Sequence, residues 1–321
     1  MQRHKRRWLE KLEDRACLTV AVAVSQGDLI ITGSADGAVE ITAVDATTYE
    51  VKDNGVVVST ATAVSDDIRI VLDSGGTAND EVTLNLNGQA VDEVLVSLGG
   101  GDNSFSLQGG TVAGNLYYLG GINDDMLTIA ADAILQKGLL ARLGDGENSV
   151  SLAGSVARDV VITGGFGDDT VELAAGASVG RSLATSLGGG DNSLNIAGAV
   201  AKNVAYFGSS GNDGVTIASG ATVGGSVLAK LGSGDNTLTH AGAITGDLRV
   251  ASANAADVVD TSAGTVGGET VANLGTGRGG RGCSGQSKTD DTTTDTTTTG
   301  TTTAASVVAP ALRAPASRGR R

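Results

Sequence analysis

The chain has 321 residues, of which 49 are glycine and 2% are aromatic, and its formal net charge is −14. Glycine does not recur at every third position, which excludes a collagen triple helix, and Val, Ile, Leu and Ala must form the core. Residues 18–277 contain 9 Lys and Arg against 30 Asp and Glu, a formal charge of −21. Because phosphate groups repel such a surface, we predict no nucleic-acid partner and regard cations as the natural counterpart.

Residues 1–17 are expected to form an export-type leader. The basic start Arg3-His-Lys-Arg-Arg7 indicates export, but acidic residues interrupt the apolar run, so an amphipathic helix or a disordered leader is an equal alternative. The segment Arg6–Leu18, Arg-Arg-Trp-Leu-Glu-Lys-Leu-Glu-Asp-Arg-Ala-Cys-Leu, resembles the leader of many cell-surface and extracellular proteins of planctomycete bacteria. The resemblance implies an extracellular or cell-surface location. No apolar run approaches the ~20 residues that span a bilayer, so no membrane span is expected.

Residues 18–73 contain strand-like runs at irregular spacing, such as Asp28-Leu-Ile-Ile-Thr32 and Ala38-Val-Glu-Ile-Thr42. An uncovered end of a stack of strands exposes unpaired edges and invites polymerisation. We therefore interpret this region as an N-terminal cap with the first irregular coils.

Residues 74–277 repeat a glycine turn, an acidic or amide pair and an alternating apolar strand. Two forms of the turn alternate, and they are exemplified by Thr163–Leu173 and Leu187–Ile196. A glycine also recurs every 22 residues, at Gly154, Gly176, Gly198, Gly220, Gly242 and Gly264. One unit is too short to bury its apolar side chains, whereas stacked units share a continuous core. The pattern predicts an all-β fold, a right-handed parallel β-solenoid (β-helix) with about 22 residues per coil.

The strand segments predict which side chains form the core. In Asn192-Ser-Leu-Asn-Ile196 polar and apolar residues alternate, which is typical of a strand with one buried face. We expect seven apolar residues to lie in buried columns on parallel strands: Val171, Leu173, Leu194, Ile196, Val215, Ile217 and Leu238. A β-sandwich is the alternative fold, but it does not explain the regular glycine spacing.

Two neighbouring positions in each turn carry polar side chains. The position two residues before the first apolar strand residue alternates between Asp and Asn over nine turns: Asp80, Asn103, Asp125, Asn148, Asp169, Asn192, Asp213, Asn236 and Asp257. The preceding position is mostly acidic: Asn79, Asp102, Asp124, Glu147, Asp168, Asp191, Asn212, Asp235 and Ala256. Stacked carboxylates repel each other, and alternate amides remove half of that charge and can donate to neighbouring carboxylates. One interpretation is therefore a side-chain ladder without a ligand.

The turn Gly164-Gly-Phe-Gly-Asp-Asp-Thr-Val-Glu172 supports a second interpretation. It resembles the nonapeptide of RTX-type (haemolysin-type) calcium-binding repeats, G-G-x-G-x-D-x-U-x. The resemblance implies that stacked turns hold Ca²⁺, a cation that prefers oxygen ligands. The candidate metal ligands are Asp124, Asp125, Asp168, Asp169, Asp191 and Asp213. This chain departs from the RTX pattern because it has one acidic turn per 22 residues, and alternate turns carry Asn and are one residue shorter.

Residues 278–321 change abruptly to a composition dominated by Thr, Asp, Gly and Arg. So few apolar residues cannot offset the entropy lost on ordering, so a disordered tail is expected. Glycosylation of the tail, attachment to the envelope and a plain solvated tail all stay open. The two cysteines, Cys17 and Cys283, lie at opposite ends of the predicted rod, too far apart for a disulfide.

The sequence gives little support for a catalytic site. The histidines are His4, in the leader, and His240, which we expect on the surface of a strand. A polysaccharide-active β-helix is the enzyme alternative, with Tyr118 and Tyr206 in one column as its aromatic residues. The cations that such a site would need have no common spacing: Lys137, Arg142, Arg158, Arg181, Lys202 and Lys230.

The sequence therefore predicts a secreted or cell-surface structural or adhesive protein without catalytic activity. Its expected partners are surface polysaccharide or other envelope components. A Ca²⁺-binding RTX-like module is the first alternative, and a polysaccharide-active β-helix is the second.

Overall fold

The computed structural model describes residues 20–35, 37–72 and 76–275, and these residues form strands and turns without a helix. They build a parallel β-solenoid of about 9 coils with roughly 22 residues per coil, as predicted from the repeat. At the usual strand separation the regular stack is about 45 Å long. The predictions for the leader, the tail and both cysteines lie outside the described residues.

The structure contains short strands throughout its described length. The first sixteen are β1 (Ala21–Ser25), β2 (Asp28–Gly33), β3 (Val39–Ala43), β4 (Tyr49–Asp53), β5 (Val56–Ala61), β6 (Ile68–Leu72), β7 (Glu81–Asn85), β8 (Ala90–Val91), β9 (Val94–Ser97), β10 (Ser104–Gln108), β11 (Gly110–Val112), β12 (Leu116–Leu119), β13 (Met126–Ile129), β14 (Ala133–Leu135), β15 (Leu139–Gly144) and β16 (Ser149–Leu152). The others are β17 (Ser155–Val156), β18 (Val160–Gly164), β19 (Thr170–Leu173), β20 (Ser178–Val179), β21 (Leu183–Gly189), β22 (Ser193–Ile196), β23 (Ala199–Val200), β24 (Val204–Ser210), β25 (Gly214–Ile217), β26 (Thr222–Val223), β27 (Val227–Gly232), β28 (Thr237–His240), β29 (Ala243–Ile244), β30 (Leu248–Ser252), β31 (Val258–Asp260), β32 (Thr265–Val266) and β33 (Thr270–Leu274).

The strands belong to three sheets that run along the stack. Sheet A has the order β1-β2-β6-β9-β12-β15-β18-β21-β24-β27-β30-β33, and sheet B has the order β31-β28-β25-β22-β19-β16-β13-β10-β7-β3-β4-β5. Sheet C has the order β32-β29-β26-β23-β20-β17-β14-β11-β8. Each regular coil passes from sheet B through sheet C to sheet A and then enters sheet B of the next coil. The three corners are therefore B–C, C–A and A–B, and each repeats along the rod.

The core follows from the alternation within each strand. In β19 the side chains of Val171 and Leu173 are buried and that of Glu172 is exposed. Leu194 pairs with Val171 on one side and with Val215 on the other, always in parallel register. All seven predicted core residues are buried, so the predicted columns are confirmed. Burying one such side chain stabilises the fold by about 1.5–3 kcal/mol.

The coil length alternates between two values, and this differs from the constant spacing expected from the glycines. Val171 pairs with Leu194, 23 residues later, and Leu194 pairs with Val215, 21 residues later. The two extra residues lie at the B–C corner, which has four residues between β19 and β20 but two between β22 and β23. Gly176 stands third in the long corner with a φ of 88°, and Gly198 stands second in the short corner. The glycines that recur every 22 residues in the sequence therefore alternate between two different structural positions.

The N-terminal end of the stack is built differently from the regular coils. Strand β1 pairs antiparallel with β2 at the edge of sheet A. At the edge of sheet B, β3, β4 and β5 form an antiparallel meander, and β3 joins the regular stack by parallel pairing with β7. The antiparallel strands therefore terminate both long sheets at this end.

Candidate functional site

The acidic turns lie at the A–B corner, and the six candidate metal ligands fall into two separate columns there. Three of them, Asp125, Asp169 and Asp213, are buried, with at most 2% of each residue exposed. The other three are exposed: Asp124, Asp168 and Asp191. Adjacent residues such as Asp168 and Asp169 thus point to opposite sides of the backbone. We call the buried positions the inner column and the exposed positions the outer column.

The inner column is a continuous hydrogen-bonded ladder. Its nine members are buried, with the alternation of Asp and Asn that the sequence predicted: Asp80, Asn103, Asp125, Asn148, Asp169, Asn192, Asp213, Asn236 and Asp257. The backbone N–H of Asp169 donates to Asn192 Oδ1 of the next coil at 2.9 Å. Asn148 in turn donates its backbone N–H and its Nδ2–H to Asp169 Oδ1, at 3.2 and 2.8 Å. Each side chain from Asn103 to Asp257 therefore accepts a buried backbone N–H from the preceding coil, which would otherwise be unpaired.

The Asp and Asn coils differ in how the backbone makes room for the inner side chain. In the Asp coils a Cβ on Gly164 or Gly208 would overlap Oδ2 of Asp169 or Asp213, so the glycine is required for space. In the Asn coils a bulge residue in the sheet A strand, such as Leu187, restores the length of the shorter turn. The Asn192 side chain then donates from Nδ2 to the carbonyl oxygen of Gly190, at 3.0 Å.

Burial sets the electrostatics of the inner carboxylates. It raises the pKa of Asp125 and of Asp169 to about 6, and hydrogen bonds from Gly121 and Asn148, respectively, oppose the effect. Burial also raises the pKa of Asp213, and hydrogen bonding from Asn192 opposes the effect. The Oδ2 atoms of Asp169 and Asp213 are buried and have no donor within hydrogen-bond geometry among the described residues. An unpaired buried oxygen favours the protonated acid, which can donate.

The outer column forms a second ladder with the opposite direction. The backbone N–H of Asp191 donates to Asp168 Oδ1 of the preceding coil at 2.7 Å. Glu147 donates to Asp124 Oδ1, and Asn212 to Asp191 Oδ1, both at 2.7 Å. The outer side chains therefore satisfy turn N–H groups of the following coil while their charged ends face water.

These contacts bear on the calcium hypothesis. Successive inner carboxylates, such as Asp125 and Asp169, lie two coils apart, about 9.6 Å at the usual strand separation, which is too far for one ion to bridge. The Oδ1 atoms of both Asp168 and Asp169 already accept backbone N–H groups. Binding of Ca²⁺ would therefore compete with these hydrogen bonds or use the second carboxylate oxygen, and that of Asp169 is buried beside Gly164. The calcium site stays a prediction.

The structure also brings together a group of carboxylates that the sequence pattern does not indicate. Asp66, Asp67 and Asp92 have oxygens within 4.8 Å of one another at the C–A corner. Asp67 accepts a hydrogen bond from the backbone N–H of Glu93 at 3.1 Å, and its other oxygen pairs with Arg69 at 3.1 Å. Mutual repulsion, mainly from Asp67, raises the pKa of Asp66. The group is an exposed acidic corner that Arg69 partly neutralises.

His240 and the two tyrosines considered for catalysis are inside the core. His240 is buried, contrary to the surface position expected, because it pairs with Ile217 and shares the inward phase of Leu238. One of its ring nitrogens, Nε2, lies 3.2 Å from the carbonyl oxygen of Thr265. Tyr118 and Tyr206 share one column of sheet A, as predicted, but both are buried and offer no aromatic surface to a ligand.

Sheet C carries a groove of about 290 Å³. Its lining residues are small or aliphatic and carry no charge: Ser178, Val179, Gly180, Ala199, Val200, Ala201, Thr222, Val223, Gly224, Ala243 and Thr245. The described part of the chain also has no helix long and apolar enough to cross a membrane.

Comparison with protein-family models, with curated proteins and with solved structures finds no match to this chain. The resemblances of Gly164–Glu172 to RTX repeats and of Arg6–Leu18 to planctomycete leaders therefore stay predictions.

Proposed function

We propose that this protein is a structural rod of the cell exterior, secreted or held at the cell surface, that acts in adhesion and does not catalyse a reaction. The observation that carries the proposal is the continuous inner ladder from Asp80 to Asp257. It joins nine turns into one hydrogen-bonded line between two parallel sheets, with a buried apolar column on each strand. Such a stack suits a protein that must hold a fixed length and present a repeated surface.

The proposed partners are surface polysaccharide or other envelope components. The outer column presents an exposed carboxylate on each of five successive coils, from Asp102 to Asp191, so a partner with its own repeat can meet the same group several times. Weak contacts of this kind gain affinity through multivalency. The export expected from the leader agrees with this role.

The proposal is tested on intact cells that produce the full chain. External protease and antibody labelling should reach the protein while a cytosolic marker stays protected. The purified full chain should bind washed cell envelopes saturably without releasing soluble sugars. Protection of the chain in intact cells would contradict the location, and release of sugars would favour the polysaccharide-active alternative.

A further inference from the structure

Four cations that have no common spacing in the sequence form one line in the structure. The backbone N–H of Arg158 donates to the carbonyl oxygen of Lys137 at 3.1 Å, and that of Arg181 donates to Arg158 at 3.2 Å. Lys202 continues the line by donating to the carbonyl oxygen of Arg181 at 2.9 Å. These residues occupy equivalent positions at the C–A corner of four successive coils. We call Lys137, Arg158, Arg181 and Lys202 the basic column.

The basic column is exposed and largely free of internal partners. All four residues are exposed. Arg181 lies 3.4 Å from the carboxylate of Asp159, while Lys137, Arg158 and Lys202 form no ion pair with another described residue. The column gathers four of the nine cations that residues 18–277 contain, in a region whose formal charge is −21. Such a concentration of positive charge is unlike the rest of the surface that the structure describes.

The outer column matches the basic column in length and pitch. Over the same stretch of chain it presents one carboxylate per coil: Asp124, Glu147, Asp168 and Asp191. Both columns rise by one strand separation, about 4.8 Å, per residue, because the same coils carry them. The strands of sheet A begin at the C–A corner and end at the A–B corner, so the two columns border sheet A on opposite sides.

We infer that the basic column of one molecule binds the outer column of a second copy of this chain. Two parallel rods placed side by side bring four cations against four carboxylates with identical spacing, without any change in either molecule. Charge complementarity favours encounter and register more than it adds affinity, so the contact is weak for a pair of molecules. This chain itself carries a column of carboxylates with the length and pitch of the basic column, which favours a second copy over an unrelated polyanion.

The proposed contact can add molecule after molecule without closing into a ring. Because donor and acceptor surfaces lie on different corners, a molecule bound through one corner still offers the other, and such heterologous contacts build open assemblies. Parallel rods related by translation would form a layer in which the faces of sheet A are aligned. The inference concerns the purified protein and does not depend on where the protein is located.

Sedimentation of the purified full chain tests the inference. The average mass should rise with protein concentration at an ionic strength of about 0.01 M and fall to that of the monomer at about 1 M, where the Debye length is about 3 Å. The variant R158E/R181E should weaken association at least tenfold. The matched variant R142E/K230E changes the net charge equally on exposed residues outside the basic column and should leave association nearly unchanged.

A second pair of substitutions tests the acidic partner surface. E147Q/D168N keeps the Oδ1 of residue 168, which accepts the backbone N–H of Asp191, and removes two charges, so the fold should persist and association should weaken. Circular dichroism verifies folding of each variant.

A monomeric wild type at low salt, or equal loss of association in R158E/R181E and R142E/K230E, overturns the inference. Binding of polygalacturonate through Arg158 and Arg181 by a monomeric chain also overturns it and makes a polysaccharide the partner. A monomer that is still exposed on cells would refute only this inference and leave the proposed function standing.

Discussion

The inner carboxylates should make the solenoid more stable in mild acid. Burial raises the pKa of Asp125 and Asp169 from 3.8 to about 6, so the folded chain binds more protons than the unfolded chain between about pH 4 and 6. This contribution is complete below the unfolded pKa and is lost as the pH rises through about 6. It amounts to at most about 3 kcal/mol for each carboxylate.

Thermal melting followed by circular dichroism between pH 4.5 and 7.5, a range chosen roughly around the folded pKa, measures this effect. Carboxylates that accept hydrogen bonds near the surface, such as Asp45 and Asp247, have a lowered pKa and lose stabilisation only below about pH 3.8, outside this range. A melting temperature that rises with pH across the range would contradict the prediction.

Asp169→Asn separates the ladder from a metal site. The amide keeps an oxygen that can accept from Asn148 and replaces the unpaired Oδ2 with a donor, so the variant should gain about 1–2 kcal/mol at pH 7.5. Its gain should vanish at pH 4.5. Asp168→Asn, on the exposed adjacent residue, is the matched control and should change stability by less than about 0.5 kcal/mol.

The same two variants also test whether the turns bind Ca²⁺. If the turns bind Ca²⁺, the ion should raise the melting temperature of the wild type, and removal of either ligand should reduce that rise. If they form only a ladder, Ca²⁺ and chelator should leave the melting of all three proteins unchanged. Stabilisation of the wild type by Ca²⁺ that Asp169→Asn abolishes would support the metal site against the ladder alone.

At the scale of single elements, the two kinds of B–C corner predict unequal effects of adding one methyl group. In Gly198→Ala the Cβ would lie 2.5 Å from the carbonyl oxygen of Ala177 and 2.7 Å from that of Ala174, so the short corner must deform. The expected cost is about 2–3 kcal/mol.

In Gly176→Ala, by contrast, the Cβ meets nothing within 4 Å, and the strain comes from a φ of 88°. The expected cost is about 1–2 kcal/mol. Urea denaturation of both variants tests the order of these costs. Equal losses would mean that the long and short corners are not distinct.

The sequence predicted the elements well where one period governs them. Alternation identified Val171 and Leu194 as core residues, and the column of Asp and Asn emerged from alignment on the strands. The same period-2 phase places His240 inward with Leu238, and applying it strictly would have corrected the surface assignment. Its ring fits there because Nε2 finds the Thr265 carbonyl, a contact between coils that a linear pattern does not contain.

The basic column was missed for a related reason. Arg158 follows Lys137 by 21 residues and Arg181 follows Arg158 by 23, so a search at a constant 22 residues fails. The alternating spacing of the inner column, 23 from Asp169 to Asn192 and 21 to Asp213, would have aligned them. The sequence contained this signal, but only the corner lengths of the fold explain it.

At the scale of the whole molecule, coils should be removable in pairs but not singly. Deletion of residues 149–192, which are 44 residues, joins Asn148 to Ser193 and preserves the alternation down to Asp213. The shortened protein should fold with nearly the same melting temperature, and its length should fall by about 10 Å.

Deletion of residues 170–192, one coil of 23 residues, is the contrasting variant. It places the inner carboxylates of Asp169 and Asp213 on adjacent coils, where no amide separates them. We expect a loss of several kcal/mol, roughly the cost of an uncompensated buried polar contact in each of two coils. Small-angle scattering and urea denaturation measure length and stability. Equal tolerance of both deletions would contradict a requirement for alternation.

The opposed directions of the two ladders give the rod a direction of assembly. During synthesis the N-terminal coil appears first, so the backbone N–H of Asp191 finds its acceptor, Asp168, already in place. The backbone N–H of Asp169, by contrast, has no acceptor until Asn192 of the next coil has been synthesised. In addition to its unpaired strand N–H groups, a growing stack therefore carries one unsatisfied inner-column donor at its leading end, and each arriving coil satisfies the last one and brings a new one. At Asp257, the last member of the inner column, the backbone N–H donates to the carbonyl oxygen of Asn254 in its own turn, at 3.5 Å, so this donor is satisfied without a further coil.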